Sequence, residues 1–153
     1  MSSKPISILI TGANRGLGLE MVKQMIETQR PLSVLFACCR DPDGPRAEEF
    51  ISLLRAAAKD SGTPGMSLRK AAVINISTLL SSNEVAKGTY SRFPDLPYRV
   101  SKAALNMMSV CASVELQKDE ILCMLLHPGW VRTDMGGPEG ELGADESVEG
   151  MLK

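Results

Sequence analysis

Apolar residues gather at four places along the chain, each run of about strand length and each ended by turn-forming residues. Ile6-Ser7-Ile8-Leu9-Ile10 gives way to a glycine cluster, and Leu32 to Cys39 stops at Arg40-Asp41-Pro42-Asp43-Gly44-Pro45. Ala71 to Ser77 precedes a polar stretch, and Ile121 to Leu126 runs into His127-Pro128-Gly129-Trp130. Between these runs the apolar spacing changes to that of helices. Leu17, Met21, Val22, Met25 and Ile26 mark one face of a first helix, with Glu20, Lys23 and Gln24 on the other. Residues 46–59 carry Phe50, Leu53, Leu54 and Ala57 on one side and end at Gly62-Thr63-Pro64-Gly65. A long helix is predicted from about Tyr98 to Lys118; it is apolar nearly all round, which predicts cover on several sides, including by a second subunit. The stretch from Ser81 to Pro97 reads as a polar loop, and a last helix is predicted from Ser147. Alternating strands and helices predict an α/β fold, a Rossmann-like doubly wound parallel sheet of about four strands in one nucleotide-binding domain spanning residues 1–153. Ligands then belong at the carboxyl ends of the strands.

The stretch Thr11-Gly12-Ala13-Asn14-Arg15-Gly16-Leu17-Gly18 sits at the first of those ends. Glycine there permits a tight turn, a close approach of backbone to an anion, and close packing of helix on strand. Free amides in the helix's first turn and the positive end of its dipole favour phosphate. On spacing alone an ordinary turn is as good a reading; placement between a first strand and a helix favours a nucleotide.

Tyr98 and Lys102, at i and i+4, lie on one helix face. A phenol with a pKa near 10 is a poor acid at neutral pH. A cation about 4 Å away, at an effective dielectric near 20, is worth ~4 kcal/mol and would lower that pKa into a usable range. Taken alone, such a pair is more often a solvated helix face.

Composition narrows the partner. Seventeen Lys plus Arg against eighteen Asp plus Glu give a formal charge of -1 over 153 residues, which argues against nucleic acid and against an anionic membrane surface. A small molecule is the expected partner. Met1 to Pro5 lacks a signal-peptide pattern and no apolar run reaches membrane-span length, so the expected location is cytoplasmic. Cys38, Cys39, Cys111 and Cys123 show no metal-binding spacing and read as small core residues. His127, the lone histidine, reads as a strand-end residue, and Trp130 as packing near a ligand mouth or as purely structural.

Four segments together resemble the short-chain dehydrogenases/reductases, and within them carbonyl reductases related to sniffer and C-factor proteins. They are residues 11–18, Asn75-Ile76-Ser77-Thr78, Tyr98-Arg99-Val100-Ser101-Lys102, and His127-Pro128-Gly129-Trp130-Val131-Arg132-Thr133-Asp134-Met135. The resemblance implies NADPH-dependent hydride transfer that reduces a carbonyl substrate to an alcohol. Tyr98 would be the general acid, and Lys102 would assist it and hold the nicotinamide ribose. Thr78 stands where the family has serine, with Ser77 as the fallback. Gly12, Asn14, Arg15, Gly16, Leu17 and Gly18 would cradle the cofactor phosphates, and Pro128, Gly129, Val131 and Thr133 would line the nicotinamide side. Arg40 at the end of the second strand, with Arg15, suits a ribose 2′-phosphate, while Asp41 leaves NADH as the less favoured alternative.

Compared with the family pattern the chain looks internally deleted and shortened at its end. The third and fourth strands, with an Asn-Asn-Ala-Gly signature, and the helical asparagine of the catalytic set are not found. Either the sheet closes in the order 2-1-3-4 or a gap stays. A gap would expose strand edges and apolar surface, whereas closure would move Thr78 and Tyr98 about 4.8 Å towards the glycine turn, and misplacement by ~1 Å can cost roughly a hundredfold in rate; the expectation is a shortened form that keeps the motifs with impaired turnover or none. A catalytically inactive dinucleotide-binding or dimerising form is the alternative expectation.

Overall fold

A computed structural model describes residues 6–11, 15–27, 32–38, 46–62 and 64–153. In chain order its elements are β1 (Ile6–Thr11), α1 (Gly16–Glu27), β2 (Leu32–Cys38), α2 (Arg46–Asp60), β3 (Ala72–Ile76), α3 (Asn83–Thr89), α4 (Leu96–Leu116), β4 (Leu122–Leu126) and α5 (Ala144–Leu152). Two compact units result, Met1–Gly44 with Pro128–Lys153, and Pro45–His127. Among the described residues hydrogen bonds join β1 to β2 and β3 to β4. Both pairs are parallel, as helical crossovers require.

In the first unit β1 and β2 run in register from Ser7 opposite Val34 to Thr11 opposite Cys38. Helix α5 begins three residues earlier than the sequence pattern predicts, because the Glu146 carboxylate accepts a hydrogen bond from the Gly143 amide at 2.7 Å and satisfies the helix start. Val148 on α5 is fully buried, and Gln24 Nε2 on α1 donates to Asp145 O at 3.0 Å.

In the second unit β3 and β4 pair from Ala72 opposite Leu122 to Ile76 opposite Leu126. Ala58, Ala71, Leu116 and Ile121 form its buried core, with Ile51, Leu54, Val73 and Cys123 packed against it. Glu120 takes a left-handed backbone conformation, φ 53°, at the turn into β4. Its carboxylate is held by the Lys70 ammonium and by the Gly65 amide, and these contacts keep its pKa below the ordinary carboxylate value. Arg55 and Asp119 pair at 2.8 Å beside it.

The polar stretch after β3 is more ordered than a loop. Thr78 caps a 3-10 turn at Leu79–Ser81, and Ser82 caps α3, which its polar composition concealed. Helix α4 starts at Leu96 rather than Tyr98, since the Asp95 carboxylate accepts from Tyr98 N at 3.2 Å and Pro97 suits a first helical turn.

Within the chain itself α4 is covered on one side only. Its buried residues are Arg99, Ser109 and Leu116, while Val100, Met107, Met108, Val110 and Val114 are each more than half exposed. Polar side chains of α4 turn inward because Asn75 on β3 and Ser77 just beyond it need partners, and the apolar residues are left outside. Cys111 lies on that exposed side rather than in a core, whereas Cys123 is half-buried and burial raises its thiol pKa. Among the described residues no helix is long and apolar enough to cross a membrane.

Candidate active site

The polar face of α4 closes on the carboxyl end of β3 through three hydrogen-bonded contacts. Lys102 Nζ donates to Ile76 O at 2.8 Å, Ser77 Oγ donates to Asn106 Oδ1 at 2.5 Å, and Asn75 Nδ2 donates to Ser109 Oγ at 2.9 Å. Lys102 and Asn106 follow Tyr98 at successive intervals of four, so one helix face carries all three. Lys102 Nζ lies 5.9 Å from the centre of the Tyr98 ring, and both side chains are half-buried. Burial lowers the Lys102 pKa below the ordinary lysine value.

Ser77 and Thr78 are both buried, at 5% and 8% exposure, and their hydroxyls have different surroundings. Thr78 Oγ1 accepts from Leu80 N at 3.2 Å, and Ser77 N extends the sheet by donating to Leu126 O at 2.7 Å. Asn106 Nδ2 donates to Ser81 Oγ at 2.7 Å, and Ser81 Oγ donates to Thr78 O at 2.5 Å. Arg99 secures the segment beyond. It donates to Leu80 O at 3.0 Å, to Phe93 O at 3.2 and 3.1 Å, and to Thr89 Oγ1 at 3.1 Å, with its guanidinium 5.5 Å from the Tyr90 ring centre.

The first unit holds the residues expected at the cofactor phosphates and on the nicotinamide side. Gly16 opens α1 at φ 53°, where side chains are disfavoured, and a Cβ built there would lie 3.8 Å from Thr133 Cγ2. Gly16 and Thr133, expected on one ligand from distant parts of the sequence, are therefore neighbours. The first turn of α1 carries no acidic side chain to oppose an anion at the positive end of the helix dipole, and Arg15 is exposed beside it. This corner fits a dinucleotide phosphate. Gly129 has φ 84°, and a Cβ on it would meet Leu142 Cδ1 at 2.6 Å. Val131 is buried and bridges to Leu142, and Pro128 O accepts from Ser147 Oγ at 2.7 Å. Thr133 Oγ1 accepts from Gly136 N at 3.1 Å, and Trp130 Nε1 donates to Gly136 O at 2.8 Å, which makes Trp130 a tie across its own loop. His127 is exposed at the end of β4.

Leu17 and Gly18 lie in the first turn of α1 as expected, whereas Gly12, Asn14 and Arg40 lie outside the described residues. Sequence reasoning missed Arg99, Asn106 and Ser81. Asn106 had a signal, its spacing of four from Lys102, and Arg99 had none, because a single arginine in an exposed-looking helix start resembles any surface charge.

A family model described as short chain dehydrogenase matches residues 50–142. Over 56 residues the chain is 55% identical to C-signal of Myxococcus xanthus, a match covering 37% of this chain and 34% of that protein. The chain thus spans about a third of the length of the curated relatives it matches first. The crystal structure of NADPH-bound carbonyl reductase from chicken fatty liver is similar with a TM-score of 0.81 and 29% identity, over 99% of this chain and 87% of that one. Carbonyl reductase Sniffer of D. melanogaster gives a TM-score of 0.81 and 25% identity, over 97% of this chain and 90% of that one. These likenesses place the chain's α/β elements in a Rossmann-like fold.

Proposed function

The chain belongs to the short-chain dehydrogenase family, and from that premise we propose that it is an NADPH-dependent carbonyl reductase acting on a small-molecule carbonyl substrate. The observation that carries this reading is the Tyr98–Lys102 pair, with Lys102 anchored on Ile76 O beside Ser77 and Thr78. NADPH, when bound, supplies hydride to the carbonyl carbon. Tyr98 gives its phenolic proton to the carbonyl oxygen, and Thr78 donates a hydrogen bond to that same oxygen. Lys102 stabilises the negative charge left on Tyr98 and orients the ribose hydroxyls. Its partial burial strengthens the first effect by excluding water. In the first unit the amides of Gly16, Leu17 and Gly18 hold phosphate, and Pro128, Gly129, Val131 and Thr133 form a rigid wall for the nicotinamide. Arg15 favours a 2′-phosphate over a free ribose hydroxyl, and the NADPH bound in the chicken enzyme supports that choice.

A second reading is favoured by one observation. The exposed apolar stripe of α4, Val100, Met107, Met108, Val110 and Val114, is the composition of a covered face, and a chain that binds dinucleotide and self-associates without turnover would use it. NADPH oxidation in the presence of simple aldehydes, with sedimentation of the same sample, separates the two. Turnover supports the reductase; binding and dimerisation without turnover support the second reading.

A further inference from the structure

We propose that Asn106 is a positioning residue that decides which of two adjacent hydroxyls serves the substrate, engaging Ser77 and leaving Thr78 as the donor. The inference rests on the carbonyl-reductase reading and adds to it a residue one helical turn beyond Lys102. Its warrant is the direction of each hydrogen bond around the Asn106 carboxamide. Ser81 Oγ donates its single proton to Thr78 O at 2.5 Å, so towards Asn106 it can only accept. The group of Asn106 that meets it, at 2.7 Å, is therefore the amide nitrogen. The carboxamide oxygen then faces Ser77, and Ser77 Oγ must donate to it, at 2.5 Å. One orientation of one side chain fixes three protons.

Two consequences follow from this wiring. Ser77 has its only hydroxyl proton engaged by Asn106 and has none to offer a carbonyl oxygen. Thr78 meets the following turn as an acceptor, from Leu80 N at 3.2 Å, so its own proton is left to give. Asn106 also holds the Thr78 backbone, since the chain from Asn106 Nδ2 through Ser81 Oγ ends on the Thr78 carbonyl. A threonine has two heavy substituents on Cβ and one or two permitted rotamers, so a fixed peptide together with the Leu80 contact fixes where its hydroxyl points. Burial of Ser77 and Thr78 keeps water from substituting for either contact.

The test combines a conformational and a kinetic readout on the full chain. Three-bond couplings to the Thr78 methyl carbon report its χ1 rotamer. We expect one rotamer in the unaltered chain and in Ser77→Ala, where the path through Ser81 remains, and averaged couplings in Asn106→Leu and Ser81→Ala. For aldehyde reduction with NADPH, we expect kcat in Asn106→Leu to fall between roughly tenfold and a hundredfold with the NADPH KM unchanged. Ser77→Ala should stay within about threefold, and Thr78→Val should lose turnover that Thr78→Ser restores. A single unchanged Thr78 rotamer in Asn106→Leu overturns the proposal, as does a Thr78→Val chain that retains its rate while Ser77→Ala loses it. Should the unaltered chain show no turnover, the carbonyl-reductase reading fails and the coupling measurement alone decides the positioning role. Spectra of Asn106→Gln, which keeps both polar groups on a longer stem, guard against misfolding; dispersed spectra with averaged Thr78 couplings support the proposal, and unaveraged couplings there and in Ser81→Ala oppose it.

Discussion

Replacing Arg99 with methionine keeps the length of the side-chain stem and removes the guanidinium's hydrogen bonds to the segment after Thr78, leaving the Asn106–Ser81 bond as a remaining side-chain tie between that segment and α4. The carbonyls of Leu80 and Phe93 lose their bonds to the guanidinium, while the Thr89 hydroxyl keeps its own bond to Val85 O at 2.8 Å. An orphaned buried acceptor costs about 1–3 kcal/mol. Leu80 and Phe93 are half-buried and water can reach them in part, so the low end applies and the pair contributes about 2 kcal/mol. Loss of the guanidinium from the Tyr90 ring adds about 0.5–1 kcal/mol, for a total near 3 kcal/mol. Amide hydrogen exchange reads this locally at the α3 amides Ala86 and Tyr90, which bond to Ser82 O and Ala86 O. We expect their protection to fall by roughly a hundredfold, the ratio that about 3 kcal/mol sets. Arg99→Lys, with one compact charge in place of a planar fork, should recover about half of the loss. Unchanged protection at both amides in Arg99→Met would show that the segment is held by something other than this side chain.

Three further outcomes test other parts of the structure. Gly136→Ala places a Cβ 2.0 Å from the Val131 carbonyl oxygen, a backbone atom that cannot swing aside, so we expect a loss of about 3 kcal/mol in urea denaturation and weakened NADPH binding. Glu120 has a folded-state pKa below its unfolded value, so its contribution is complete above the unfolded value and is lost as pH falls through the folded one. The stability gap between the unaltered chain and Glu120→Gln should therefore be present at neutral pH and close on acidification. On α4, Met107→Lys with Val114→Lys should leave the monomer folded and abolish any self-association seen by sedimentation, since both side chains are exposed.

Much of this fold was legible because each element is announced by a local pattern. The four apolar runs became four strands, and the turn residues between them marked their ends within a residue or two. What escaped the reading depends on partners distant in sequence. Helix α3 is short and polar, and its caps are side chains that also occur in loops. The apolar residues of α4 suggested burial, yet the residues turned inward are Arg99, Lys102, Asn106 and Ser109, whose partners lie on β3 and on the segment that follows it. Hydrophobic periodicity cannot show that inversion. The candidate site divides in the same way: Tyr98 and Lys102 were visible from spacing within one helix, and Gly16 from its place after a strand. The proximity of Gly16 to Thr133 and the role of Asn106 required the chain to be folded.

The most direct measurement is the rate of NADPH oxidation by the purified chain with an aldehyde, compared with Tyr98→Phe at matched NADPH affinity. We expect turnover in the unaltered chain and a fall of roughly a thousandfold in Tyr98→Phe, within the range a general acid contributes. Equal rates in the two proteins would contradict the assignment of the proton to Tyr98 and with it the reductase reading.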